Sequence, residues 1–189
     1  YKLTANIELG GSEDTQWTPI GTSGAPFTGT FDGDGHTISE LYINGNNNAA
    51  GLFGYVGEGG TVKNLTVSGE VNGSNAAVGG VVGNNSGTVS NCTNKGTVNG
   101  TNASMAGGVV GYNDFGTVSE CANKGDVLVN VNIYNVYREY IGGVVGYNLG
   151  GTVSNCSNES AVTVAVDFTA TNNDNYTHTG GVVGNSSGI

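Results

Sequence analysis

The chain has little basic charge. Of 189 residues only 5 are Lys or Arg, against 15 Asp or Glu, and the net charge is −10. Lys2, Lys63, Lys95, Lys124 and Arg138 are scattered rather than clustered. Phosphate backbones are bound by clustered Lys and Arg, so neither nucleic acid nor an anionic membrane surface is expected as a partner. No apolar run is long enough to span a bilayer, which excludes insertion by a helix. The sequence opens Tyr1-Lys2-Leu3-Thr4 without an initiator Met or a signal-peptide pattern, from which a piece of a longer precursor is expected. The C-terminal Gly184-Asn185-Ser186-Ser187-Gly188-Ile189 stops in mid-repeat and points the same way.

Cysteine is also scarce. Cys92, Cys121 and Cys156 are odd in number and lack the paired spacing of a zinc site or a disulfide framework. They are expected to be a column of buried free thiols. His-Glu-x-x-His is absent, so no zinc-peptidase centre is expected. Acids do not recur at one repeat position: Glu120 and Glu159 fall at different places, with Asp34 several units away. Neither the paired carboxylates of a glycoside hydrolase nor the clustered acids and base of a lyase are thereby formed. No catalytic residue, metal site or cofactor is expected.

What the chain has is glycine, 35 residues of it, arranged in a repeat. Gly-Gly-Val-Val-Gly stands at 79–83, 107–111, 142–146 and 180–184, with the relative Ala50-Gly51-Leu52-Phe53-Gly54 one unit earlier. The closing glycines Gly54, Gly83, Gly111, Gly146 and Gly184 are 29, 28, 35 and 38 residues apart. Such a period marks a solenoid, and apolar residues in register with the glycines argue against disorder. Glycine at this density costs about 1 kcal/mol per residue in a helix interior, which excludes helix. Each unit reads as three short strands: the Gly-Val-Val stretch, Thr88-Val89 through Cys92, and Thr97-Val98, with equivalents at Val71, Val127 and Val162. That is a parallel β-helix of about six rungs, stacked about 4.8 Å apart. We expect one domain over 1–189: motif-rich coils over 1–50, then repeated coils over 51–189. Extra residues are confined to one corner, at 127–141 and 162–179.

Stacking predicts columns. Val62, Val89, Val118 and Val153 form one, with Ile38 before and Ile189 after. Leu65, Cys92, Cys121 and Cys156 form another, with Leu41 before. The two columns are three residues apart, and strict alternation cannot bury both, so a bend is required near Ser90-Asn91. Thr37, Thr61, Thr88, Thr117 and Thr152 form a polar column, with Ser39, Ser90, Ser119 and Ser154 two places on. It reads as strand-suited β-branching, with an ice-binding array as the alternative. Asn94, Asn123 and Asn158 read as a stack of side-chain amides at a turn. Asp32-Gly33-Asp34-Gly35 has the chemistry of a tight turn; the remaining ligands of a calcium loop are missing. His36 reads as a turn residue.

The stretches Leu3-Thr4-Ala5-Asn6-Ile7-Glu8-Leu9, Trp17-Thr18-Pro19-Ile20-Gly21, Phe31-Asp32-Gly33-Asp34-Gly35-His36-Thr37-Ile38 and Ala50-Gly51-Leu52-Phe53-Gly54 together resemble the GLUG-motif repeat family. The resemblance covers about the first third closely and the Gly-Gly-Val-Val-Gly units more loosely. That family occurs in bacterial surface and secreted proteins, adhesin-like proteins and the non-catalytic region of IgA-cleaving metallopeptidases among them. The resemblance implies a right-handed β-helix outside the cytoplasm, at the bacterial cell surface or secreted, serving attachment or as a stalk. It carries over no ligand site.

The insertions are the least repetitive stretches and leave the same corner on neighbouring coils. Tyr134, Tyr137, Arg138 and Tyr140 sit in the first; Phe168, Tyr176 and His178 sit in or beside the second. Exposed Tyr and Arg are enriched at recognition surfaces, and function concentrates on loops grafted to a rigid scaffold. Tyr134, Tyr137, Arg138, Tyr140, Tyr176 and His178 are therefore the candidate ligand-binding residues, for a host protein or a glycan. The other reading is a satellite core, since Val127-Leu128-Val129-Asn130-Val131-Asn132-Ile133 alternates like a strand with one buried face. End-to-end contact with flanking solenoid coils is a further expected partnership. The expected function is a non-catalytic adhesive, binding or stalk module. The alternative is a carbohydrate-binding or accessory part of a secreted polysaccharide-active enzyme or peptidase.

Overall fold

The structure is a computed structural model and describes residues 1–45, 48–74, 77–103, 105–132, 138–167 and 177–187. All regular structure among them is β, in three sheets whose strands pair in parallel from coil to coil. Sheet I has twelve strands, including Thr61–Ser74, Thr88–Asn94, Thr97–Thr101, Val127–Asn132 and Val162–Asp167. Sheet II stacks Ala49–Ala50, Ala77–Gly79, Met105–Gly107, Glu139–Gly142 and Thr177–Gly180. Sheet III stacks Phe53–Val56, Val82–Asn85, Val110–Asp114, Val145–Leu149 and Val183–Ser186. This is the expected three-sheet parallel β-helix.

Gly-Gly-Val-Val-Gly is not one strand, as the sequence suggested, but the corner between sheets II and III. In the second such coil, Met105–Gly107 ends one strand and Val110–Asp114 begins the next. The last glycine of the motif lies against backbone of the preceding coil. A Cβ on Gly111 would stand 2.5 Å from the Val78 nitrogen, and one on Gly146 would stand 2.7 Å from the Ala106 nitrogen. A side chain there would push neighbouring coils apart.

The predicted columns are present from Thr61 onward. Val62, Val89, Val118 and Val153 are in register, as are Thr61, Thr88, Thr117 and Thr152. Leu65 pairs Cys92. The required bend is a left-handed residue between the two apolar columns of each coil: Asn64 (φ 54), Asn91 (φ 49), Glu120 (φ 54) and Asn155 (φ 52). Asn tolerates this conformation because its short side chain hydrogen-bonds locally. One inverted residue turns both Val89 and Cys92 inward, and each is fully buried. Val127, Val129 and Val131 are buried while Leu128 is 36% exposed, so the alternation read over this strand places one face in the core.

The N-terminal columns differ from expectation. Phe31, not Ile38, precedes Val62, and Thr30, not Thr37, precedes Thr61. Ile38 pairs Val67, Thr37 pairs Thr66 and Leu41 pairs Gly69. Ser39 pairs Glu8, so Asp32 and Lys63 occupy the places before Ser90. The cause is the Asp32-Gly33-Asp34-Gly35 turn. A Cβ on Gly33 would stand 2.5 Å from the Asn64 carbonyl oxygen and 2.8 Å from the Leu65 Cα, so the turn itself covers Asn64 and Leu65. The strand after it joins the next coil further along. Ile189 lies outside the described residues.

Candidate functional site

Sheets II and III meet at the glycine corner with their outer faces turned towards one another. A Cβ on Gly83 of sheet III would lie 2.8 Å from the Cβ of Ala49 in sheet II. Two outward columns line the resulting groove. One runs Ala49, Ala77, Met105, Tyr140, His178. The other runs Tyr55, Asn84, Tyr112, Tyr147, Asn185.

Towards the C-terminal end the two columns close into a stack of rings. Tyr112 and Tyr147 stand 5.6 Å apart at 7°, Tyr147 and Tyr140 4.5 Å apart at 18°, and Tyr140 and His178 5.2 Å apart at 18°. Parallel pairing places equivalent residues one strand spacing apart, close to the stacking distance of aromatic rings. All four are half-buried. The Tyr112 hydroxyl donates to the Asp114 carboxylate at 3.2 Å, and burial together with that negative charge pushes the phenol up to about 12. Beside the stack, Glu139 is only 5% exposed; burial pushes its carboxyl up to about 7, against a lesser downward pull from Thr177.

Of the candidate binding residues, Tyr140 and His178 are thus brought together on neighbouring coils. Arg138 is exposed, one residue before that strand. Tyr134, Tyr137 and Tyr176 lie outside the described residues, as does Phe168. Sequence reasoning missed Tyr112 and Tyr147, although the signal was there: Gly111-Tyr112-Asn113 and Gly146-Tyr147-Asn148 repeat the same triplet after the corner.

The same triplet carries an inner ladder. Asn85 donates its side-chain amide to Asn113 at 2.8 Å, and Asn113 to Asn148 at 2.7 Å. All three are buried, and Asn113 and Asn148 also donate to the Gly116 and Gly151 carbonyls. The expected second stack is present too: Asn94 donates to Asn123 at 2.9 Å and Asn123 to Asn158 at 2.8 Å, each also donating to a turn carbonyl two residues on. Buried amides of this kind satisfy the turns and fix coil-to-coil register.

The remaining candidates are accounted for. All three cysteines are free. Each thiol donates to the carbonyl two residues back, Ser90, Ser119 or Ser154, at 3.2–3.3 Å. Contact with Cys156 pulls the Cys121 thiol down, but contact with Cys92 and burial outweigh it and push it up to about 12. Contact with Cys121, and then burial, raises Cys156. The raised Cys121 and Cys156 thiols are neutral and poorly nucleophilic. Asp32 accepts from the Asp34 backbone at 2.9 Å and from Asn64 at 2.9 Å, and pairs with Lys63 at 3.4 Å. The Asn64 hydrogen bond, foremost, holds its carboxyl below the ordinary value. Asp34 pairs with Lys2 at 3.0 Å. Both carboxylates serve the turn, and among the described residues no three His, Cys, Asp or Glu side chains gather where they could hold a metal ion.

Stacked parallel coils, glycine corners and two inner amide ladders define the class: a parallel β-helix repeat protein. Within it, the chain carries three GLUG motifs, at residues 74–99, 102–128 and 137–164. These fall on the Gly-Gly-Val-Val-Gly coils, C-terminal to the stretches that first bear the resemblance. Over 87 residues the chain is 41% identical to a protein of Evansella cellulosilytica named "Putative Gly-rich membrane protein", covering 44% of this chain and 10% of the relative. Over 94 residues it is 37% identical to "Halomucin" of Haloquadratum walsbyi, covering 46% of this chain and 1% of the relative. The chain therefore spans a tenth or less of each relative's length. Its fold is that of the crystal structure of a "putative immunoglobulin A1 protease" from Bacteroides ovatus, with a TM-score of 0.52 at 16% identity over 100% of this chain and 77% of that one.

Proposed function

We propose that this chain is a non-catalytic module of a bacterial surface or secreted protein, which presents a binding groove on a stiff solenoid and so serves adhesion. The observation that carries the reading is the ring stack Tyr112–Tyr147–Tyr140–His178 on the outer face of coils locked from within by amide ladders. Large, rigid aromatic groups give contact area at small entropic cost, which suits recognition. The names of the two sequence relatives, a membrane protein and a halomucin, support placement at the cell exterior. The acidic surface suits a soluble, self-repelling display module.

Beads coated with the full chain test the reading. They are expected to adhere to epithelial or bacterial cell layers more than uncoated beads do, and adhesion should fall when Tyr140 and Tyr147 are both replaced by Ala while circular dichroism is unchanged. Coated beads that adhere no better than bare ones would refute it.

A further inference from the structure

The groove has a second end that the ring stack does not reach. Passing towards the N-terminus, the outward pairs become Met105 with Tyr112, then Ala77 with Asn84, then Ala49 with Tyr55. Small side chains replace rings at Ala77 and Asn84, which leaves a notch between Tyr55 and Tyr112. These two stand two strand spacings apart, about 9.6 Å. At the far side of the notch a cavity of about 220 Å³ opens, walled by Tyr55, Thr18, Pro19, Thr22, Ser23 and Asn48 over Ala49. The Thr18-to-Ser23 wall is fixed in place: Ile20 donates to the Leu52 carbonyl, Gly54 donates to the Ile20 carbonyl, and Thr22 and Ala25 close a tight turn.

The chemistry of that wall is narrow. It holds three hydroxyls, one amide, one phenol ring and one proline, and no charged side chain. Hydroxyls and amides both donate and accept, which matches a polyhydroxylated ligand. An aromatic residue and a proline match its apolar C–H face. The net charge of −10 and the Asp114 carboxylate at the Tyr112 end of the notch repel anions. The volume is below the roughly 300–1,000 Å³ of a drug-sized pocket and suits one small ring.

We infer that this cavity binds one sugar unit of a neutral glycan, seated against Tyr55 and hydrogen-bonded by Thr18, Thr22, Ser23 and Asn48, with the chain leaving along the Ala77–Asn84 notch towards Tyr112. The inference rests on the adhesive reading above and names a ligand class for the opposite end of the same groove.

The test is calorimetric titration of the full chain with neutral hexose and N-acetylhexosamine oligosaccharides, with oligogalacturonate as the acidic comparison. A neutral oligosaccharide is expected to bind and oligogalacturonate is not. Tyr55→Ala should weaken binding about tenfold or more, the loss of one ring contact with its hydrogen bonding. Ser23→Trp, at an exposed position on the rim, should block the cavity without touching the core. Leu128→Ala, at a 36% exposed position on sheet I away from the groove, should leave sugar binding unchanged. Three results would overturn the inference: no neutral oligosaccharide bound by the parent chain, the acidic one bound more tightly, or Ser23→Trp and Tyr55→Ala binding as the parent does. Adhesion of coated beads that persists without sugar binding would sink the glycan and leave the adhesive reading standing.

Discussion

Replacing Asn113 by Ala removes the middle of the buried ladder. Asn113 accepts from Asn85 at 2.8 Å and donates to Asn148 at 2.7 Å and to the Gly116 carbonyl at 2.9 Å. Alanine leaves the buried Asn148 side-chain oxygen without this donor, while the Gly116 carbonyl keeps the Thr152 amide at 2.9 Å. The Asn85 amide keeps only longer contacts, at 3.3 Å to Gly87 and 3.4 Å to Thr117. Each buried polar group left unpaired costs about 1–3 kcal/mol, and with Gly116 still paired and Asn85 keeping weaker contacts the loss should be about 2–3 kcal/mol. That is a large share of a domain stability of about 5–15 kcal/mol. In a solenoid each coil touches only its neighbours, so the damage should concentrate at the 85–113–148 corner. Urea unfolding followed by far-ultraviolet circular dichroism reads the loss as a lower midpoint. Asn84→Ala, one residue from the ladder but on the outer face and half-exposed, is the control and should shift stability by about 0.5 kcal/mol or less. If Asn113→Ala lay within 1 kcal/mol of that control, the ladder would not hold the coils together and the reasoning would fail.

Gly111→Ala should destabilise by about 3 kcal/mol, because the new methyl group meets backbone of the preceding coil rather than a mobile side chain; a thermal melt gives the value, and an unchanged melting temperature would contradict the corner geometry. Glu139 predicts a pH dependence of defined sign. Its folded-state carboxyl titrates at about 7, above the ordinary value of 4.5, so the folded state holds the proton longer than the unfolded one. Stability is then fully present below about pH 4.5, falls between there and pH 7 by about 2–3 kcal/mol, and is level above. Glu139→Gln should flatten that slope in urea titrations at several pH values. The thiols should also be silent in the folded state: Ellman's reagent at pH 8 should find none reacting quickly at Cys92 and Cys121, and three after unfolding without reductant. Fewer than three would mean that a disulfide had formed.

Much of this molecule was written in its period. The spacing of Gly-Gly-Val-Val-Gly, the Val and Cys columns and the recurring Asn94, Asn123 and Asn158 specify a stacked parallel solenoid. A repeat that buries like on like can do so in one way, with each coil above the last. Even the backbone inversion at Asn64, Asn91, Glu120 and Asn155 followed from requiring two inward columns three residues apart. Three things were decided only in space. The N-terminal register shifted because a glycine turn, Gly33, covers Asn64 and Leu65, a substitution of backbone for side chain that no alignment of side-chain types reveals. The corner at Gly-Gly-Val-Val-Gly depends on how closely two backbones approach. The groove joins Tyr140 to Tyr147 and Ala49 to Tyr55 across that corner, pairs that lie on different sheets and meet only because their outer faces fold towards each other. Periodicity states which residues repeat and therefore stack along the axis. It carries no information about the angle between neighbouring sheets, and that angle, set by the glycine corners, determines which outward side chains share a surface.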